Sequence, residues 1–113
     1  MEEDLLKIFN NFGSKTQRKK LCEEFMELQD ELFYIYDFGD DRENLLSEVA
    51  DVLILVLQFA YEYGYDNEEI VKQMKYKINR TLERIESGYY EKPDNCWYPW
   101  KRTQKDTRPL WQG

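Results

Sequence analysis

Residues 45–60 read Leu45-Leu46-Ser47-Glu48-Val49-Ala50-Asp51-Val52-Leu53-Ile54-Leu55-Val56-Leu57-Gln58-Phe59-Ala60. Wound as a helix, this stretch leaves almost no polar face. A helix apolar all round is expected to be buried all round, either centrally in a bundle or across a subunit interface. Two carboxylates nevertheless interrupt it. At about 100° per residue, Glu48 falls within about 40° of Val52, Leu55 and Phe59, and Asp51 sits one helical step away at the edge of that face. A carboxylate buried on such a helix is costly unless a cation or a donor compensates it.

Outward from this stretch the chain reads as helix, divided by Gly and Asn/Asp breaks. A helix over roughly 2–11 ends at Asn10-Asn11-Phe12-Gly13, and Ser14 or Thr16 is placed to cap a long second helix running to about Asp37. Phe38-Gly39-Asp40-Asp41 breaks the chain before the third helix, from about Arg42 to Tyr63. Gly64 suits its C-terminus, and Asp66 is placed to cap a fourth helix ending near Ser87 and Gly88. Long helices joined by short loops favour an all-α antiparallel bundle. The expected organisation is a helical domain over 1–88 and an irregular tail over 89–113.

Composition narrows the chemistry. The 113 residues carry 16 Lys+Arg against 23 Asp+Glu, a net charge of −7, and no histidine. The tail holds five bases against three acids, or +2, which leaves −9 for residues 1–88. The lack of His removes every Ser-His-Asp, Cys-His and His–metal arrangement. The acidity argues against coating nucleic acid or an anionic membrane. Val49 to Ala60 is too short and too interrupted to span a bilayer. Met1-Glu2-Glu3-Asp4 lacks a basic leader region, and Cys22 and Cys96 read as reduced thiols, so the expected location is cytoplasmic.

The second helix answers the acids of the third. Leu21, Phe25, Leu28 and Leu32 form its apolar stripe, with Cys22, Met26 and Phe33 widening it, and Glu24, Glu27 and Glu31 run along one edge. Glu23 points further toward solvent. If the two helices pack antiparallel, Glu24 and Glu27 face Glu48 and Asp51. Four converging carboxylates select a hard cation, Mg²⁺ or Mn²⁺ rather than Zn²⁺, and suit a site that also receives a phosphate. Alone, Glu23, Glu24 and Glu27 also suit a solvated helix face paired with Lys19 and Lys20, and Glu48 and Asp51 suit a partly exposed helix start. It is their conjunction on consecutive helices that points to a site.

Glu23-Glu24-Phe25-Met26-Glu27 followed by Glu48-Val49-Ala50-Asp51 resembles the MazG-like all-α NTP pyrophosphohydrolases. The resemblance extends upstream to Gln17-x-x-Lys20-Leu21 and downstream to Lys75-Tyr76-Lys77-Ile78-Asn79-Arg80, covering about residues 12–88. It implies Mg²⁺-dependent cleavage of a (d)NTP between its α- and β-phosphates, giving a monophosphate and pyrophosphate. Carried across, Glu24, Glu27, Glu48 and Asp51 would hold the metal, and Glu23 would orient or deprotonate the attacking water. Gln17, Lys20, Lys75, Asn79 and Arg80 would bind substrate. It also implies a homodimer or homotetramer and a role in nucleotide-pool housekeeping.

On the fourth helix, Val71, Met74, Ile78, Leu82 and Ile85 make an apolar arc with Lys72, Lys75 and Asn79 along one margin, while Arg80 projects elsewhere. A cation and an amide there would hold a leaving pyrophosphate. Aromatics crowd the ends of the second and third helices. Most read as core or interface, and one or two, Phe12 among the candidates, are placed to stack a base. In the tail, Trp97, Trp100 and Trp111 dock on the bundle or a partner, or Trp97 or Trp100 stacks in a lid with Lys101, Arg102 or Arg108 at phosphate; a third use, binding single-stranded nucleic acid, is disfavoured by the −9 body. The competing function is a non-catalytic helical interaction protein with a structural cation site. Burial of Glu48 and Asp51 opposite Glu24 and Glu27 separates the two.

Overall fold

The computed structural model describes residues 1–39 and 43–92. They form four α-helices, α1 (Glu2–Phe12), α2 (Ser14–Phe38), α3 (Leu45–Tyr63) and α4 (Asn67–Glu86), and a short 3₁₀ turn at Tyr89–Glu91. No strand occurs among the described residues. The all-α reading holds, and its breaks fall at Gly13, Gly39, Gly64 and Gly88. The readings placed on Asp40, Asp41 and Arg42, and on Cys96 and the tail tryptophans and bases, lie outside the described residues.

Two glycines do work that a side chain would obstruct. Gly13, at φ 86° and ψ 158°, is the single residue between α1 and α2, in a region open essentially to glycine alone. Gly39, at φ 73°, closes α2 in the left-handed conformation and donates its N–H back to Ile35. The expected cap from Ser14 or Thr16 does not form. Gly13 occupies the N-cap position, and no side chain bonds the first turn.

Contacts divide the chain into two compact units, Met1–Asn67 and Glu68–Gly113. In the first, α3 packs most extensively along α2 and next along α1. Leu5 and Phe9 of α1 are buried together with Val52, Leu55 and Tyr61 of α3. Phe9 meets Phe59 edge to face at 5.1 Å between centroids, a pairing contributing about 0.5–1.5 kcal/mol beyond its buried area. The Tyr61 hydroxyl donates to Asn67 Oδ1, so its polar end is satisfied although the residue is buried.

Three expectations about burial need correction. The third helix is not buried all round: Leu46 is 80% and Leu53 54% exposed, with Ile54 and Val56 also open. Neighbours α1 and α2 cover one side of it, and its apolar outer side faces away from them. On α2, Leu21, Leu28 and Leu32 are only half-buried and Phe25 is exposed, while the buried residues are Gln17 and Glu24. In the second unit, α4 keeps no buried residue, and Val71, Met74, Ile78, Leu82 and Ile85 are all exposed. No described helix is long and apolar enough to cross a membrane.

Candidate metal centre

Helices α2 and α3 run antiparallel, and two cross-helix pairs fix their register. The Gln17 Nε2 amide donates to Gln58 Oε1 at 2.8 Å. Ten residues further along α2, Glu27 meets Glu48, ten residues earlier on α3. This register sets Glu24 opposite Asp51. Six residues separate Phe38 from Leu45, a connection short enough to join antiparallel neighbours.

One carboxylate oxygen from each of Glu24, Glu27 and Glu48 lies within 4.8 Å of the other two. Glu24 is 5% exposed, Glu48 is half-buried and Glu27 is open to solvent, so the cluster has a closed side and an accessible side. Repulsion from Glu24 chiefly, hydrogen bonds from the protonated Glu27 carboxyl to Glu24 and Glu48, and the charge of Glu48 hold the Glu27 carboxyl above the ordinary glutamate range. The Oε2 atoms of Glu24 and Glu48 are buried and have no hydrogen-bond partner among the described residues. Buried carboxylate oxygens left in that state are costly. A hard divalent cation is the ligand that would satisfy them, and three converging oxygen donors fit one.

Lys20 compensates part of this charge. Its ammonium lies 3.0 Å from Glu24 and 3.9 Å from Glu23. The bond to Glu24 raises the Lys20 pKa further above its ordinary value. Glu24 and Lys20 then pass into a cleft of about 480 Å³, whose walls also include Phe12, Gln17, Asp51 and Gln58. That volume lies in the range of small-molecule sites.

The expected residues therefore separate. Glu24, Glu27 and Glu48 come together; Asp51 stands beside them, on the cleft wall with Glu24. Gln17, Lys20 and the exposed aromatic Phe12 line the same cleft. Glu23 stays exposed on Lys20. Lys75, Asn79 and Arg80 belong to the second unit, where all three are exposed; Lys75 and Asn79 share one face of α4, and Arg80 lies 5.8 Å over the Tyr76 ring. The residue that sequence reasoning passed over is Gln58, the most completely buried side chain among the described residues, at 1% exposure. Its signal was its place as a polar residue inside the most apolar run, seven residues after Asp51.

A family profile described as the MazG nucleotide pyrophosphohydrolase domain matches residues 12–84, well over half of the chain. No curated protein and no solved structure matches the chain significantly. The matched segment contains every acid of the cluster and both walls of the cleft. The chain belongs to the MazG nucleotide pyrophosphohydrolase family.

Proposed function

We propose that this MazG-family chain hydrolyses nucleoside triphosphates between the α- and β-phosphates, releasing a nucleoside monophosphate and pyrophosphate, with Mg²⁺ as its cation and Mn²⁺ as a substitute. The observation that carries this reading is the trio Glu24, Glu27 and Glu48, with two buried, unpartnered oxygens, at the edge of a cleft large enough for a nucleotide. Glu24, Glu27 and Glu48 would hold the cation, with Asp51 adjoining from the cleft wall. When bound, Mg²⁺ supplies Lewis-acid polarisation of phosphoryl oxygens and a water of lowered pKa.

The chain's own residues do the rest. Lys20 sits at the mouth of the acid cluster and offers an ammonium to the triphosphate. Glu23, on the other side of Lys20, steadies that ammonium, and is the group from which a proton acceptor for the attacking water would be recruited. Gln17 lies deeper and contacts the nucleoside side of the substrate. Lys75, Asn79 and Arg80 are assigned to the leaving pyrophosphate on the strength of the sequence resemblance. The exposed Leu46, Leu53 and Val56 side of α3 supports assembly into a homodimer or homotetramer. The accompanying role is housekeeping of the nucleotide pool in the cytoplasm.

The test is a panel of standard and base-modified (d)NTPs with Mg²⁺, following pyrophosphate and monophosphate together. Equal amounts of the two are expected. Orthophosphate as the first product would refute α–β cleavage. The competing reading, a helical interaction protein with a structural cation, draws on the same exposed apolar faces. It would be favoured if no nucleotide turned over while Mg²⁺ still raised the melting temperature.

A further inference from the structure

The cleft between α2 and α3 has two levels. On α2, Gln17 precedes Glu24 by seven residues; on α3, Gln58 follows Asp51 by seven. Seven residues are two helical turns, so each amide lies on the same face as its acid and about 10 Å further along. All four line the one cleft. The level at one end is carboxylate and the level at the other is amide.

The amide level is buried well beyond what a solubility role requires. Gln17 is 5% and Gln58 1% exposed, yet both border the cleft, whose lining also includes Ile54 and Leu55. Their mutual bond uses the Gln17 Nε2 and the Gln58 Oε1. The Gln58 Nε2 donor and the Gln17 Oε1 acceptor take no part in that bond. Such a pair complements a nucleobase edge, which also offers a donor and an acceptor. The separation of the two levels matches the reach from a 5′-phosphate across a ribose to the far edge of its base. Phe12, exposed and on the same cleft, offers a ring face for the base between them.

We infer that Gln58, held by Gln17, reads the hydrogen-bonding edge of the nucleobase and sets the base preference of the cleft. The inference rests on the nucleotide reading above and extends it to a residue which that reading does not use. Gln17 is the positioning partner: it fixes the rotamer of Gln58 and presents the complementary acceptor. A site built to hydrogen-bond a substrate discriminates strongly against one lacking the matching group, because its own buried polar groups are then left unpaired.

The experiment measures dissociation constants of the four α,β-methylene dNTPs, with Mg²⁺, for the full chain and for Gln58→Leu, and kcat and KM for the natural dNTPs in parallel. The wild type is expected to separate its best and worst base by at least about tenfold, and Gln58→Leu to collapse that separation. The loss should fall on KM for the preferred base, with kcat changed less than about threefold. Gln58→Glu, which keeps the size and removes the donor, should reorder the four bases, and it answers the question if Gln58→Leu fails to fold. A wild type binding all four bases alike would overturn the inference, as would variants that weaken all four equally. Binding with base preference but without turnover would leave this inference standing and refute the hydrolytic reading instead.

Discussion

The two ends of the α2–α3 contact are built on one register and behave in opposite ways. At one end Glu24, Glu27 and Glu48 face each other as like charges, with oxygens that find no partner. At the other end Gln17 and Gln58 face each other as complementary amides joined by one hydrogen bond. The amide end holds the helices together in the free chain. The acid end opposes that contact; Lys20 and a proton on Glu27 ease it in part, and a bound cation would relieve the rest. Complementarity is thus spent at one end and reserved at the other, which is the arrangement expected when one end is structural as well as recognising and the other is a ligand site.

The largest effect expected from breaking this contrast is on turnover. Glu48→Gln removes one of the three converging donors, and pyrophosphate release should fall by more than about a hundredfold. Its helix content by circular dichroism should be unchanged, and its melting temperature without Mg²⁺ should be equal or higher, because a repulsion has gone. A loss of stability without Mg²⁺ would mean that the acid end is not strained.

Next in size is the response to the cation itself. Mg²⁺ at about a hundred times its dissociation constant should stabilise the chain by about 2.7 kcal/mol, a rise on the order of 10 °C. Glu24→Gln should abolish the rise, whereas Gln58→Leu should keep it. An equal loss in both variants would erase the distinction between the two ends.

The amide end should cost less to break, and in a different pattern. Gln58→Leu leaves the buried Gln17 amide unpaired and should destabilise the chain by about 1–3 kcal/mol in urea unfolding. The Gln17→Leu/Gln58→Leu double variant should recover much of that, since neither amide is then stranded.

The smallest effect is that of pH on the acid end. The Glu27 carboxyl titrates above its unfolded value because Glu24, then Glu48, oppose its charge. A carboxyl raised in this way contributes stability that is present below the unfolded glutamate pKa and lost as pH rises through the folded one. Melting temperatures of wild type and Glu27→Gln without Mg²⁺ should therefore diverge upward through that window, the variant gaining on the wild type. Mg²⁺ affinity of the wild type should rise over the same window, since Glu27 must shed its proton to bind. A difference between the two chains that stays constant with pH would refute the assigned cause.

Much of this was legible in the sequence, and the illegible part has a physical reason. Helix type and breaks follow from local rules: Gly13 and Gly39 end their helices because few other residues tolerate those backbone angles. The two acidic pairs were legible because i, i+3 spacing places carboxylates on one face whatever the surroundings. The covered side of α3 was not, since a helix apolar all round carries no phase information, and only its neighbours decide that Val52 and Leu55 are buried while Leu46 is open. The burial of Gln17 and Glu24 in place of Phe25 was hidden for a related reason. Hydrophobic periodicity finds faces that water drives inward, and these two polar residues are inside because partners stand opposite or beside them: Gln58 lies 41 residues from Gln17, and Lys20 one turn from Glu24.

The acids of the cluster, and the cleft residues from Gln17 to Gln58, lie within one helical hairpin, whose helices are separated by six residues. Closing so short a loop costs little chain entropy, and topologies dominated by such nearby contacts fold quickly. During synthesis, domains take shape from the N-terminal side as the chain emerges. The hairpin has all its residues once Tyr63 has emerged, before α4 has done so. The acidic cluster thus needs no residue beyond α3 for its assembly.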